Sequence, residues 1–150
     1  MVIGVINGPN MNLLGKREPM HYGNQSWDVI QGDMERTATE LNCSLLFFQS
    51  NHEGEIVDFI QKNMNEMQGI IINPAGYSKT GYAILDAIKA IDVPFIEVHM
   101  SNIFSRGEKH SDTVFCEDAI GNIIGFRGNS YLLALRAMVD YLHDMGLEQE

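Results

Sequence analysis

Four stretches of the chain are apolar at almost every position: 2–6, 44–48, 69–73 and 94–99. A fifth, 119–125, is weaker and contains Gly121. Each has the length of a strand, and strands apolar on both faces are those that helices cover on both sides. The segments between them carry a different period. Ser26 can cap a helix, and the apolar positions Val29, Ile30, Met34 and Leu41 after it fit 3.6 residues per turn. The segment 53–64 places Ile56, Val57, Phe59 and Ile60 on one side, and 80–91 follows as a third helix. A last helix, 130–145, turns Leu132, Leu133, Leu135, Val139 and Leu142 inward, with Gly146 as its stop. Strand alternating with helix predicts a doubly wound, five-stranded parallel sheet of the flavodoxin-like kind, in three α/β/α layers. No repeat, linker or low-complexity stretch divides the chain, so 1–150 is expected to be one domain.

Composition narrows the partners. Lys+Arg 10 against Asp+Glu 20 gives a formal net charge of -10 and a pI near 4.8. Such a surface repels nucleic acid and anionic membranes, while a few local cations can still hold a small anion in one cleft. No apolar run approaches the roughly 18 residues of a membrane span. The opening MVIGVINGPN lacks the basic start and the length of a secretory signal, so a soluble cytoplasmic protein is expected. Cys43 and Cys116 have no metal-binding or redox spacing. No G-x-G-x-x-G or G-x-x-x-x-G-K-[ST] motif is present, and no metal or cofactor is expected.

Open parallel sheets bind ligands beyond the carboxyl ends of their strands. The segments that fall there, 7–23, 49–53, 73–80, 99–111 and 125–128, are rich in polar side chains, Arg106 among them. The connection 7–23 is far longer than the roughly 2–6 residues usual between strand and helix, as binding loops and lids are. Within these segments, Glu97 and His99 alternate onto one face of a strand end, where the carboxylate can orient the ring. The pair reads either as an oriented acid or base or as a structural histidine. Met100 and Ser101 offer amides and a hydroxyl for a carboxylate, or a plain helix cap. Asn73 offers a donor and an acceptor to a ligand, or closes an Asx-turn. Tyr22 beside Arg17 is a phenol whose ionised form a cation favours, or else a loop anchor. Together these groups suit proton abstraction and elimination on a small carboxylate. Ligation of a metal by Glu97, His99 and His110 lacks further ligands at convincing spacing.

The run Val5-Ile6-Asn7-Gly8-Pro9-Asn10-Met11-Asn12-Leu13-Leu14-Gly15, then Arg17-Glu18-Pro19 and Tyr22-Gly23, resembles the N-terminal signature of type II 3-dehydroquinate dehydratases. Gln49-Ser50-Asn51-His52-Glu53-Gly54-Glu55, Glu97-Val98-His99-Met100-Ser101-Asn102 and Gly128-Asn129-Ser130-Tyr131-Leu132-Leu133-Ala134-Leu135 resemble its later motifs, so the likeness spans nearly the whole chain. It implies a cofactor-independent hydro-lyase of flavodoxin-like fold. The enzyme would convert 3-dehydroquinate to 3-dehydroshikimate by trans-elimination of water through an enolate, in the shikimate or quinate pathway. By that resemblance Tyr22 would be the base and His99, beside Glu97, the general acid. Arg17 would stabilise the tyrosinate and the enolate, and Asn12 would hold a water near the enolate. Asn73 with the Met100 and Ser101 backbone would bind the carboxylate of a small anionic cyclic substrate. The family is usually a dodecamer of four trimers, with a neighbouring subunit reaching into each site.

Two positions depart from the pattern. Where the family usually reads N-P-G-A-Y-[TS]-H-T-S, residues 73–81 read NPAGYSKTG, which puts Lys79 in place of a histidine that would contact ring hydroxyls. A second hydroxyl-binding arginine falls at His110, while Asp86 keeps its place. The change lies on the part that reads the far side of the ring. It leaves open a paralogue with the same chemistry on a related cyclic hydroxy-keto acid. A non-catalytic flavodoxin-like module is the other alternative. A flavin-binding module is disfavoured because 7–16 has no Ser or Thr, and a receiver domain because Asn7 and Asn73 stand where it needs acids.

Overall fold

Strands β1 (Val2–Asn7), β2 (Ser44–Gln49), β3 (Gly69–Asn73), β4 (Phe95–His99) and β5 (Gly121–Ile124) pair in parallel, in the order β2-β1-β3-β4-β5. This is the computed structural model of the chain, which describes residues 1–16, 19–22, 24–107 and 111–146, with side chains for all but Pro19 and Tyr22. The order is the flavodoxin-like one, with its switch point between β1 and β3. After β1 come a 3₁₀ turn (Met11–Leu13) and a single helical turn, α1 (Pro19–Tyr22). The longer helices are α2 (Trp27–Glu40), α3 (Glu53–Lys62), α4 (Tyr82–Ile91) and α5 (Asn129–Asp144). No helix among the described residues is long and apolar enough to cross a membrane.

Alternation along the strands sorts the core into two layers. Ile3, Val5, Ile71, Ile96 and Val98 face α2 and α5, where Ile30, Met34, Leu135, Met138 and Leu142 meet them. Ile6, Ile70, Ile72 and Phe95 face the other way, onto Ile56 and Ile60 of α3 and Ile84 and Ile88 of α4. All five residues of β3 are buried, as the central strand of such a sheet requires. At about 1.5–3 kcal/mol for each fully buried aliphatic side chain, these two layers dominate the stability of the fold. Close packing leaves no room at Gly69, where a Cβ would lie 2.6 Å from Met138 Sδ of α5.

The periodic reading needs three corrections. Val29 and Leu133, expected inward, are 49% and 38% exposed, because each sits at the margin of its helix's apolar stripe. Leu41 lies just beyond α2 as its C-cap, packed against the core from outside the helix. Ser26 occupies the N-cap of α2, but its side chain accepts no capping bond.

Candidate active site

The register sets Asn7 beside both Gln49 and Asn73, so three amides stand in a row at the carboxyl edge of the sheet. Loops cross-brace this edge. Gly8 N donates to Asn73 O at 2.8 Å, Gly125 N to His99 O at 3.0 Å and Arg127 N to Met100 O at 2.8 Å. The first of these crossings demands glycine, because a Cβ on Gly8 would lie 2.2 Å from Pro74 O. The foot of the long first loop is tied down by the Gln49-Ser50-Asn51 segment. Asn10 N donates to Asn51 Oδ1 at 3.0 Å, Gln49 Nε2 to Gly8 O at 3.2 Å, and Tyr77 Oη to Asn51 O at 2.6 Å. Ser50 Oγ donates in turn to the Glu55 carboxylate.

Above the braced edge opens a cleft of about 480 Å³, lined by Met11, Asn73, Lys79, His99, Ser101 and Arg106 among others. Phe95, Glu97 and His99 share one face of β4, and His99 ends at the cleft with Glu97 buried behind it. Glu97, 1% exposed, holds His99 Nε2 at 2.7 Å through Oε1. A carboxylate acceptor assigns the ring proton to Nε2, which leaves Nδ1 as the nitrogen available to a ligand. The Glu97 Oε2 atom is buried with no partner among the described residues.

Met100 and Ser101 follow at once. Their amides are taken up by no backbone carbonyl among the described residues, and both residues line the cleft. The helix-cap role falls instead to Asn102, whose Oδ1 accepts from Phe104 N at 3.2 Å. Ser101 Oγ accepts from the Arg106 guanidinium at 3.1 Å, which brings a cation to the same wall. Free amides, a hydroxyl and a guanidinium on one wall are the chemistry that can hold a carboxylate. Asn73 does form the Asx-turn, with Ala75 N donating to its Oδ1 at 3.1 Å, and it lines the cleft as well. Lys79 stands at the cleft with Nζ 3.8 Å from Asp112, a loose and exposed pair that adds little stability.

The remaining expectations divide. Asn12 sits exposed on the 3₁₀ turn and Asp86 exposed on α4, and neither lines this chain's cleft. Arg17 and His110 lie outside the described residues, as does the side chain of Tyr22, whose backbone belongs to α1. One residue was not singled out from the sequence as part of the site. Tyr131 is fully buried and hydrogen-bonds both Asn7 and Asn73. Burial raises its phenol pKa, outweighing the lowering by the bond from Asn73, so the group stays protonated.

The turn after β3 carries a strain of its own. Ala75 has φ 49, in the left-handed region, while its neighbour Gly76 does not. The Gly-Ala order of the resembling pattern would put the residue without a Cβ at this position. An L-residue there costs about 1–2 kcal/mol, of which glycine's extra chain entropy returns part. Ala75→Gly is therefore expected to stabilise the fold by about 0.5–1 kcal/mol, raising Tm by about 1–4 °C. Calorimetry on the two proteins checks this, and a lower Tm in the variant would contradict it.

Comparison with known proteins covers the whole of this arrangement. Residues 1–139 match the family model described as Dehydroquinase class II. A protein of Francisella philomiragia named 3-dehydroquinate dehydratase is 48% identical over 146 residues, covering 97% of this chain and 99% of that one. One of the same name from Caldicellulosiruptor saccharolyticus is 50% identical over 139 residues, 92% of this chain and 96% of that one. Among solved structures, a type II dehydroquinase from Butyrivibrio crossotus superposes with a TM-score of 0.88 at 37% identity, covering 92% of this chain and 97% of its own.

Proposed function

The chain belongs to the class II dehydroquinase family, and on that premise we propose how its cleft carries out the family's reaction. The protein is a hydro-lyase that dehydrates 3-dehydroquinate to 3-dehydroshikimate, a step of the shikimate pathway. The observation that carries the mechanism is His99 at the cleft, held by the buried Glu97 and set beside free amides at Met100 and Ser101.

The substrate carboxylate binds to the Met100 and Ser101 amides, the Ser101 hydroxyl and Asn73, with Arg106 on the same wall. Tyr22, as phenolate favoured by Arg17, removes the proton alpha to the ketone and leaves an enolate. Arg17 and a water held by Asn12 stabilise the enolate oxygen. His99, protonated and paired with Glu97, gives its Nδ1 proton to the departing C1 hydroxyl. The ring then keeps its Nε2 proton on Glu97, and the products are water and a conjugated enone. The working form is a cytoplasmic dodecamer of four trimers, which gives the exposed Asp86 a role at a neighbouring subunit's site. The conjugated product absorbs in the ultraviolet, so adding 3-dehydroquinate should produce a steady rise in absorbance. A flat trace with folded, assembled protein would sink the assignment.

Lys79 and His110 read the ring hydroxyls. Ammonium and imidazole differ from imidazole and guanidinium in reach and geometry. Two misplaced hydrogen bonds cost roughly tenfold to a few hundredfold. The double variant Lys79→His with His110→Arg is expected to raise kcat/KM for 3-dehydroquinate. An unchanged value beside high parent activity would mean that both side chains face solvent and do not select the substrate.

A further inference from the structure

We infer that Tyr131 is a positioning residue for the substrate carboxylate, acting through Asn73; the inference rests on the reading that Asn73 binds that group. Tyr131 is fully buried on α5, its ring edge-on to Trp27 with centroids 5.1 Å apart. Its hydroxyl donates to Asn7 Oδ1 at 2.6 Å and accepts from Asn73 Nδ2 at 2.9 Å. A phenol has one proton. Given to Asn7, that proton leaves only lone pairs toward Asn73, so Asn73 must present its NH₂ group there. From the other end Ala75 N donates to Asn73 Oδ1 at 3.1 Å and demands the same orientation. The Asn73 amide is thus fixed from both sides.

The second Nδ2 hydrogen of Asn73 meets Met11 Sδ, 3.7 Å away. A thioether is a weak acceptor, and Met11 lines the cleft. A carboxylate oxygen arriving beside Met11 replaces it with a charged acceptor, the stronger kind of hydrogen bond. Asn7 bears the cost of this order. Its Nδ2 is buried with no partner among the described residues. Turning the Asn7 amide over would satisfy that group, but it would push the phenol proton toward the Asn73 NH₂. The proton arrangement that serves Asn73 leaves Asn7 unsatisfied, as expected where a network is set by function.

The test is steady-state kinetics on 3-dehydroquinate with Tyr131→Phe, Asn73→Ala and the double variant. Tyr131→Phe keeps the ring and is expected to raise KM about tenfold, as for a weakened hydrogen bond to a charged group. The kcat should stay within about threefold, since uniform binding is what is lost. Asn73→Ala should raise KM at least as much, and the double variant should be no worse than Asn73→Ala alone. A normal KM in Tyr131→Phe beside a raised one in Asn73→Ala overturns the inference and leaves the carboxylate reading standing. A normal KM in Asn73→Ala overturns both. Multiplying effects in the double variant, or a Tyr131→Phe loss confined to kcat, also overturns the inference. Should Tyr131→Phe fail to fold, Asn7→Ala is judged by the same criteria. It frees the phenol proton to turn toward Asn73 and should raise KM alike.

Discussion

Tyr22→Phe is expected to lower kcat by about 10²–10⁴-fold, the range for loss of a positioned general base. The substitution keeps the aromatic ring and removes one oxygen from a residue on the single turn α1. Tm should therefore stay with the parent. The KM should change little, because the phenol acts on the proton alpha to the ketone, whereas the carboxylate is held elsewhere. A variant that keeps kcat within about threefold of the parent, against that range, would remove Tyr22 from the mechanism. Collapse of the fold would show instead that the tyrosine anchors its loop.

His99→Ala is expected to cost kcat a similar factor of about 10²–10⁴ through a different step. The imidazole is held by Glu97 at 2.7 Å with its other nitrogen left to the cleft, so its loss leaves the departing hydroxyl without a proton. The enolate should still form and revert. The variant also leaves Glu97, 1% exposed, without its partner, and a bare buried carboxylate destabilises the fold. A lowered Tm should accompany the lost activity. The double variant Glu97→Gln with His99→Ala removes that charge and should recover part of the Tm without recovering kcat. Recovered kcat would mean that His99 is not the acid.

How far these groups can be read from the chain depends on how local their interactions are. The strands announced themselves because helices cover both their faces, so 69–73 had to be apolar throughout before its terminal Asn73. Glu97 and His99 were legible for the same reason, since two residues apart on a strand is a contact the backbone makes by itself. The exposure of Val29 and Leu133 was not, because a 3.6-residue period locates a stripe but not where the neighbouring element ends. Tyr131 and Asn7 are 124 residues apart. Their hydrogen bond exists only because α5 packs over β3 and β4 and so brings Tyr131 to the end of β1, and no local pattern encodes that. Within α5, Tyr131 looks like one more apolar position. Ala75 stood in the open as an inverted Gly-Ala order, yet its consequence needed the backbone angle. The Ser101 cap moved one residue to Asn102 because both side chains are competent caps and the backbone chose between them.

The division of labour between Tyr22 and His99 is tested most directly by hydrogen exchange at the alpha carbon of 3-dehydroquinate in D₂O. Parent, Tyr22→Phe and His99→Ala proteins would be followed by NMR. His99→Ala should wash deuterium into the substrate without forming the enone, because proton removal persists while hydroxyl departure stalls. Tyr22→Phe should do neither. Exchange that survives in Tyr22→Phe and vanishes in His99→Ala would reverse the two roles and contradict the mechanism.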